Sequence, residues 1–270
     1  MPRIIPMPNT MQLQEILFSQ GFGTRRVCAG LIQKGLVSIK PLGVPADEAF
    51  QLVTDSDLEL DPEGLQFRVS GVPGLPDLVW PYASRAYIVF HKPAGHECSH
   101  KASHWPTIYS LLPSPLRLRP QKSAIQGVQA IGRLDQDTTG LLILTDDGAL
   151  IHKLSSPKHH APKVYEVTTK HAIDAKQVAR LLEGVVLDDS PKPVLAAACE
   201  AVGELGVTTH LRLTLTEGKY HQVKRMIAAV GNRVEGLHRS QMGGFELPTD
   251  LPAGSWRWLT TEELASLSAQ

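Results

Sequence analysis

Between Ile131 and Thr145 the chain reads Ile131-Gly132-Arg133-Leu134-Asp135-Gln136-Asp137-Thr138-Thr139-Gly140, followed by Leu-Leu-Ile-Leu-Thr. The apolar run 141–145, ended by Asp146-Asp147-Gly148, predicts a short buried strand. Such a strand needs covering elements, so this stretch puts a packed sheet into the fold. Gly132 predicts a turn that presents Arg133 and Asp135, with a short acidic and hydroxyl-rich link leading into the strand. A lone carboxylate at the mouth of a strand suits nucleophilic chemistry without a metal.

The 270 residues are enough for two domains and one sizeable core. Residues 1–10, with three prolines, read as a loose tail. Residues 11–70 read as a small α/β module. Leu13, Ile16 and Leu17 give 11–20 a helical spacing, Thr24 is a candidate N-cap, and 25–34 reads as a second helix closed by Gly35. Short strands are predicted at 36–39 and 58–60. Residues 71–84, again rich in proline, read as a linker. The main domain, 85–270, alternates candidate strands (87–90, 141–145, 165–169, 207–216) with helices (149–154, 173–183, 221–230). Without strict βαβ alternation, the prediction is an α+β fold with a central mixed or antiparallel sheet and a cleft.

Net charge is zero, but the charges are not evenly spread. The stretch 43–66 carries seven acidic residues and no Lys or Arg, which reads as a solvated face. Basic residues gather at Arg25-Arg26, 117–122, 153–163 and 219–239. Local patches of this kind permit binding to a phosphate backbone despite a neutral total. Three scattered cysteines without a CxxC pair fit a reducing compartment. No apolar run nears the ~18 residues of a membrane span, and the N-terminus lacks a signal-peptide core. A cytoplasmic protein that does not engage membranes is expected.

The segment Gly-Arg-Leu-Asp-x-x-Thr-x-Gly-Leu-Leu-x-Leu-Thr-x-Asp-Gly, here 132–148, resembles the signature of RNA pseudouridine synthases. The resemblance implies that Asp135 is the nucleophile that isomerises uridine to pseudouridine. Attack at ribose C1′, attack at uracil C6 and elimination at C2′ all remain open as routes. Each needs an ionised Asp135, and burial would oppose that unless a cation stood nearby. Three further segments are similar to those of the family. Glu217-Gly218-Lys219-Tyr220-His221-Gln222-Val223-Lys224-Arg225-Met226 implies that Lys224, where Arg is common among relatives, pairs with the nucleophile. It also makes Arg225 a substrate-binding candidate. Lys163-Val164-Tyr165 implies that Tyr165 stacks on the base, with Lys163 meeting phosphate in the basic run through Lys158, His159 and His160. Gly236-Leu237-His238-Arg239 implies that Leu237 lies against the uracil face. Arg133 would fill the gap left by the extruded uridine, whose unstacking costs a few kcal/mol.

Thr24-Arg25-Arg26, with Ala29, Leu31-Ile32, Gly35 and Val37, resembles the alpha-L RNA-binding motif, with Arg25 and Arg26 as its RNA contacts. Within the family, Ser-Pro-Lys-His-His, Tyr-His-Gln-Val-Lys-Arg-Met and Ala-Ala-Val-Gly-Asn resemble the small-subunit (16S) rRNA type, which implies uridine 516 in standard rRNA numbering as target. The resemblance further implies no cofactor and no metal, a monomer, and ribosomal RNA or an assembling small subunit as partner.

Each segment also has a plainer reading. Arg133 and Asp135 alone would make a surface ion pair, or Arg133 would pair with Asp137. Tyr165 and Leu237 would be core, and Lys224 and Arg225 solvated charges. Three other readings compete: a large-subunit (23S) synthase, a non-catalytic RNA-binding or ribosome-assembly factor, and a zinc-dependent hydrolase using His96, His100 and His104 with Cys98 and His91. Pro93, Gly95 and Pro106 make the histidine run a loop rather than a helical ligand face.

Overall fold

The structure, a computed structural model, describes residues 10–45, 48–72, 76–101, 103–121, 125–155, 161–188 and 190–268. The tail 1–9, Asp47, Lys122 and the run Ser156 to His160 lie outside them. The chain divides into two units, Met1–Ala86 with Pro113–Val128, and Tyr87–Leu112 with Gln129–Gln270.

In the first unit, helices Leu13–Ser19 and Arg25–Gln33 bury Leu13, Ile16, Leu17, Cys28 and Ile32. Thr24 is the N-cap of the second helix, and its hydroxyl accepts from the Val27 amide at 3.3 Å. Among the described residues a four-stranded antiparallel sheet runs in the order Gln51–Val53, Val37–Lys40, Gln66–Val69, Leu78–Pro81. The last strand falls in the stretch read as a linker. Trp80 is 1% exposed there, pairs across from Phe67 and meets Phe22 edge-to-face at 5.6 Å. Aromatic burial thus overrides the turn propensity of the flanking prolines, and Pro81 sits at the end of an edge strand where its missing N–H is harmless.

Residues 113–128 also differ from the sequence reading, since they group with the first unit. Arg119, 1% exposed, donates from Nη1 to the Gln20 side chain and from Nη2 to the Ala83 carbonyl, both at 2.7 Å. Those bonds compensate a charge that would be costly to bury alone. The acidic stretch has a local use. Asp55 and Asp61 each accept the amide two residues on, from Asp57 and Glu63, at 3.0 Å. These are turns built on carboxylates, flanking the short strand Glu59–Leu60 that pairs with Met11–Gln12.

The second unit is built on a mixed sheet of nine strands among the described residues. Its order is Ala198–Ala201, His210–Leu215, Lys163–Thr169, Val234–Met242, Thr139–Thr145, Tyr87–Lys92, Trp256–Trp258, with Phe245–Glu246 and Gln129–Ala130 attached at the sides. Val234–Met242 and Thr139–Thr145 run parallel, and the other pairs are antiparallel. This is the expected α+β class with a mixed sheet.

Leu141, Leu142, Ile143 and Leu144 are fully buried, so the Thr139–Thr145 strand is covered on both faces. Each such side chain contributes roughly 1.5–3 kcal/mol by leaving water. Leu141 and Ile143 join Val89, Met242, Phe245, Leu251 and Leu267 in one core cluster. Val234–Met242 is not evident as a strand from sequence because Glu235, His238, Arg239, Ser240 and Gln241 break any apolar alternation. Polar contacts explain them: the Thr139 hydroxyl meets His238 Nδ1 at 2.9 Å, and the Ser240 hydroxyl donates to Glu166 at 3.3 Å. Among the described residues no helix is long and apolar enough to cross a membrane.

Candidate active site

Asp135 stands in the link that enters the Thr139–Thr145 strand. Gly132 takes φ +72°, which a side-chain-bearing residue adopts only with strain, and so turns the chain toward Arg133 and Asp135. The Asp135 carbonyl accepts the Thr138 amide at 3.1 Å, closing a second turn. Lys92 fixes the link from beneath. It is fully buried, and its ammonium donates to the carbonyls of Thr138 at 2.8 Å, Pro93 at 3.0 Å and Gln136 at 3.2 Å. Burial pushes the Lys92 ammonium below its ordinary pKa, with the charges of Cys98, Asp137 and Asp135 opposing. At Gly140, where φ is +110°, a Cβ would lie 2.3 Å from the Arg239 carbonyl oxygen. A glycine there lets the two parallel strands approach, which brings residues 237–239 beside the Asp135 link.

Two basic groups converge on Asp135. Lys224 Nζ lies 3.1 Å from Oδ2, and His221 Nε2 lies 3.2 Å from Oδ1. Lys224 also bonds both oxygens of Asp137, at 2.7 and 2.9 Å. Burial alone would raise the Asp137 carboxyl and lower the Lys224 ammonium. The hydrogen bonds and opposite charges together outweigh it, those of Lys224 holding Asp137 below its ordinary value and those of Asp137 and Asp135 holding Lys224 above its own. Lys224 comes from the helix Gln222–Ala229, whose Val223, Met226 and Ile227 are buried. His221, the N-cap, is the non-glycine residue with positive φ among the described residues, at φ 49°, ψ 33°. A left-handed histidine costs conformational energy and persists where its surroundings over-determine it. Here the ring stacks on Tyr220 at 3.8 Å and lies 3.2 Å from the Asp135 carboxylate.

A cavity of about 730 Å³ opens on this group, within the roughly 300–1,000 Å³ usual for small-molecule sites. Arg133, Asp135, Lys163, Tyr165, Lys224 and Leu237 all line it. Tyr165, 8% exposed, faces Arg239 across the strand pair, and Leu237 follows two residues from Arg239 on the same face. Lys163 donates to the Ala161 carbonyl at 3.0 Å, and burial followed by the charge of Arg239 lowers its pKa. One wall is the loop 97–105. The Glu97 carboxylate gathers the amides of Ser103, His104 and Trp105 and the Ser103 hydroxyl at 2.8–3.1 Å. Those bonds, led by the Trp105 amide, hold its pKa down at about 2.

Other expected residues lie elsewhere. Arg225 is not among the cavity-lining residues and donates to the Tyr220 carbonyl at 2.8 Å. In the first unit Arg25 pairs with Glu15 and lies over the Phe18 ring at 4.2 Å, and Arg26 is exposed. The histidine run does not converge: His96 meets the Ala94 carbonyl, His100 stacks on Tyr109, and the Cys98 sulfur accepts the Leu134 amide. No group of three metal-ligating side chains occurs among the described residues.

His221, Asp137, Lys92 and Glu97 are not evident as site residues from sequence. The signal for Lys92 is a charge ending the apolar run 87–90 before Pro93, and for His221 its place between a glycine turn and an amphipathic helix. Chemically, a carboxylate flanked by an ammonium and an imidazole faces a pocket with an aromatic ring and basic walls. It can attack an electrophilic carbon of a planar, anionic-backbone substrate.

A family described as RNA pseudouridylate synthase matches residues 86–229. The chain is similar to the ribosomal small subunit pseudouridine synthase A of Pasteurella multocida (strain Pm70), with 40% identity over 191 residues, 71% of this chain and 77% of that one. It is similar to the protein of that name from Escherichia coli (strain K12), with 35% identity over 257 residues, 95% of this chain and 100% of that one. A solved structure described as a pseudouridylate synthase shares 32% identity at a TM-score of 0.61, over 95% of this chain and 99% of that one. The chain belongs to the RNA pseudouridylate synthase family and is an enzyme of that class.

Proposed function

We propose that this enzyme isomerises one uridine of small-subunit ribosomal RNA to pseudouridine, uridine 516 in standard rRNA numbering, with Asp135 as nucleophile. The observation that carries the reading is Asp135 held between Lys224 and His221 at the wall of a nucleoside-sized pocket lined by Tyr165. The small-subunit assignment is supported by the names of the relatives at 35–40% identity.

In this reading Arg133, exposed on the pocket rim, fills the gap left by the extruded uridine. Tyr165 stacks on the base and Leu237 lies against it. Lys163 meets phosphate, and Lys224 keeps Asp135 ionised. Arg225 supports the Tyr220 turn beside the pocket. The first unit acts as an alpha-L-type RNA-binding domain through Arg26 and Arg25. The reaction is an isomerisation with no net redox change, so the proposal includes no cofactor. It also has the protein working as a cytoplasmic monomer on ribosomal RNA or an assembling small subunit.

The test is pseudouridine mapping of ribosomal RNA from cells lacking the protein, restored with wild type or Asp135→Asn. Loss of one small-subunit pseudouridine, restored by wild type alone, is expected. Loss of a large-subunit site instead would overturn the substrate and keep the reaction. No change in either RNA would overturn both.

A further inference from the structure

Arg239 lines the pocket, and one nitrogen of its guanidinium has no hydrogen-bond partner among the described residues. It is 2% exposed and lines the cavity. Its Nε donates to the Leu141 carbonyl at 2.8 Å, whereas Nη2 is buried without a hydrogen-bond partner among the described residues. No described acidic side chain is paired with it. An unmet buried donor is costly, and more so when charged. The fold nevertheless keeps the guanidinium in place through Leu141 and the close strand contact at Gly140. A group so held is preorganised for a ligand atom that arrives later.

The surroundings identify that atom. Arg239 sits across from Tyr165 in strand register and shares its face with Leu237 and Met242, and Leu215 lines the same cavity. The Tyr165 ring and three apolar side chains thus line the cavity with the guanidinium, a lining that suits a base. A phosphate, strongly hydrated, is better served by the more open cations. We infer that Arg239 donates through Nη2 to a carbonyl oxygen of the target uracil and stabilises the negative charge that gathers there during the reaction. The inference rests on the reading of the pocket as a uridine site.

The charge arises by every open route. When N1–C1′ breaks, its electron pair stays on the base, and the uracil anion spreads that charge over O2 and O4. When a carboxylate adds to C6, the C5=C6 pair moves toward O4. The new bond then forms from C5 to C1′, the C5 proton leaves and N1 ends protonated, so atoms and electrons balance without an oxidant.

The experiment compares wild type, Arg239→Gln and Arg239→Lys, each checked for folding by thermal melting. Single-turnover rates and RNA dissociation constants are measured on small-subunit RNA. In parallel, binding of uracil is compared with that of barbiturate, a planar anion carrying uracil's ring and oxygens. Removing one such donor is expected to slow the chemical step by about 10²–10³-fold, with RNA affinity within about threefold of wild type. Wild type is expected to prefer barbiturate over uracil by at least about tenfold, and Arg239→Gln to lose that preference.

If the Gln variant does not fold, a rate loss of at least about tenfold in a normally melting Arg239→Lys supports the inference. A full rate in that variant overturns it. An unchanged barbiturate preference in Arg239→Gln also overturns it. So does a defect confined to uridine monophosphate over uridine, which would make Arg239 a phosphate ligand. Asp135→Asn serves as the separating control. If Asp135→Asn is inactive while both Arg239 variants are normal, this inference alone fails. If Asp135→Asn is fully active, the reading of the site fails with it.

Discussion

The Lys224 ammonium lies 3.1 Å from Asp135 Oδ2. The same nitrogen reaches Asp137 Oδ1 at 2.7 Å, so one cation serves two carboxylates two residues apart. Both sit in the link that Lys92 ties down by its carbonyls. The nucleophile candidate is thus fixed by a helix cation on one side and by a buried strand cation on the other.

Replacing that shared cation tests the arrangement. Lys224→Met is expected to lower the single-turnover rate by about 10²–10³-fold. Lys224→Arg, which keeps the charge, is expected to stay within about tenfold of wild type. The Asp137 carboxyl, no longer hydrogen-bonded to an ammonium, is expected to titrate higher in the Met variant. An unmoved Asp137 titration by NMR, with a normal rate, would contradict the shared pairing.

Lys92→Met leaves the carbonyls of Gln136 and Thr138 without their buried donor. A loss of about 1–3 kcal/mol in folding stability is expected, together with a lowered rate as the Asp135 link loosens. Denaturant unfolding and single-turnover kinetics check the two effects. A variant that unfolds earlier yet turns over normally would separate the clamp from the chemistry.

Glu97 gives a prediction in pH. Its folded pKa, about 2, is below the ordinary 4.5. The stabilisation of loop 97–105 is therefore fully present above about pH 4.5 and is lost as pH falls through about 2. Carboxyl titration by NMR is expected to show that low midpoint in wild type. A midpoint near 4.5 would mean that Glu97 does not organise the pocket wall.

Much of this site is legible in the sequence because its parts are local. The turn at Gly132, the carboxylate at Asp135 and the apolar strand form one continuous segment, and Lys224 announces itself on an amphipathic helix. Periodicity finds Thr139–Thr145 and His210–Leu215 because their burial is simple. It does not find Val234–Met242, whose residues answer to a pocket on one face and to polar side chains on the other. Leu78–Pro81 is hidden by Pro81 and the prolines that precede it, since only the tertiary seat of Trp80 makes it a strand. The roles of Lys92, His221 and Arg239 depend on partners 44 to 98 positions away in the chain, beyond the reach of any local pattern.

The most direct test of the proposed chemistry is single-turnover pseudouridine formation by purified Asp135→Asn on small-subunit ribosomal RNA, with RNA affinity measured beside it. The amide keeps the shape and removes the nucleophilic charge. Turnover is expected to vanish while the dissociation constant stays within about threefold of wild type. Product formed at the wild-type rate would contradict the assignment of Asp135 as the nucleophile.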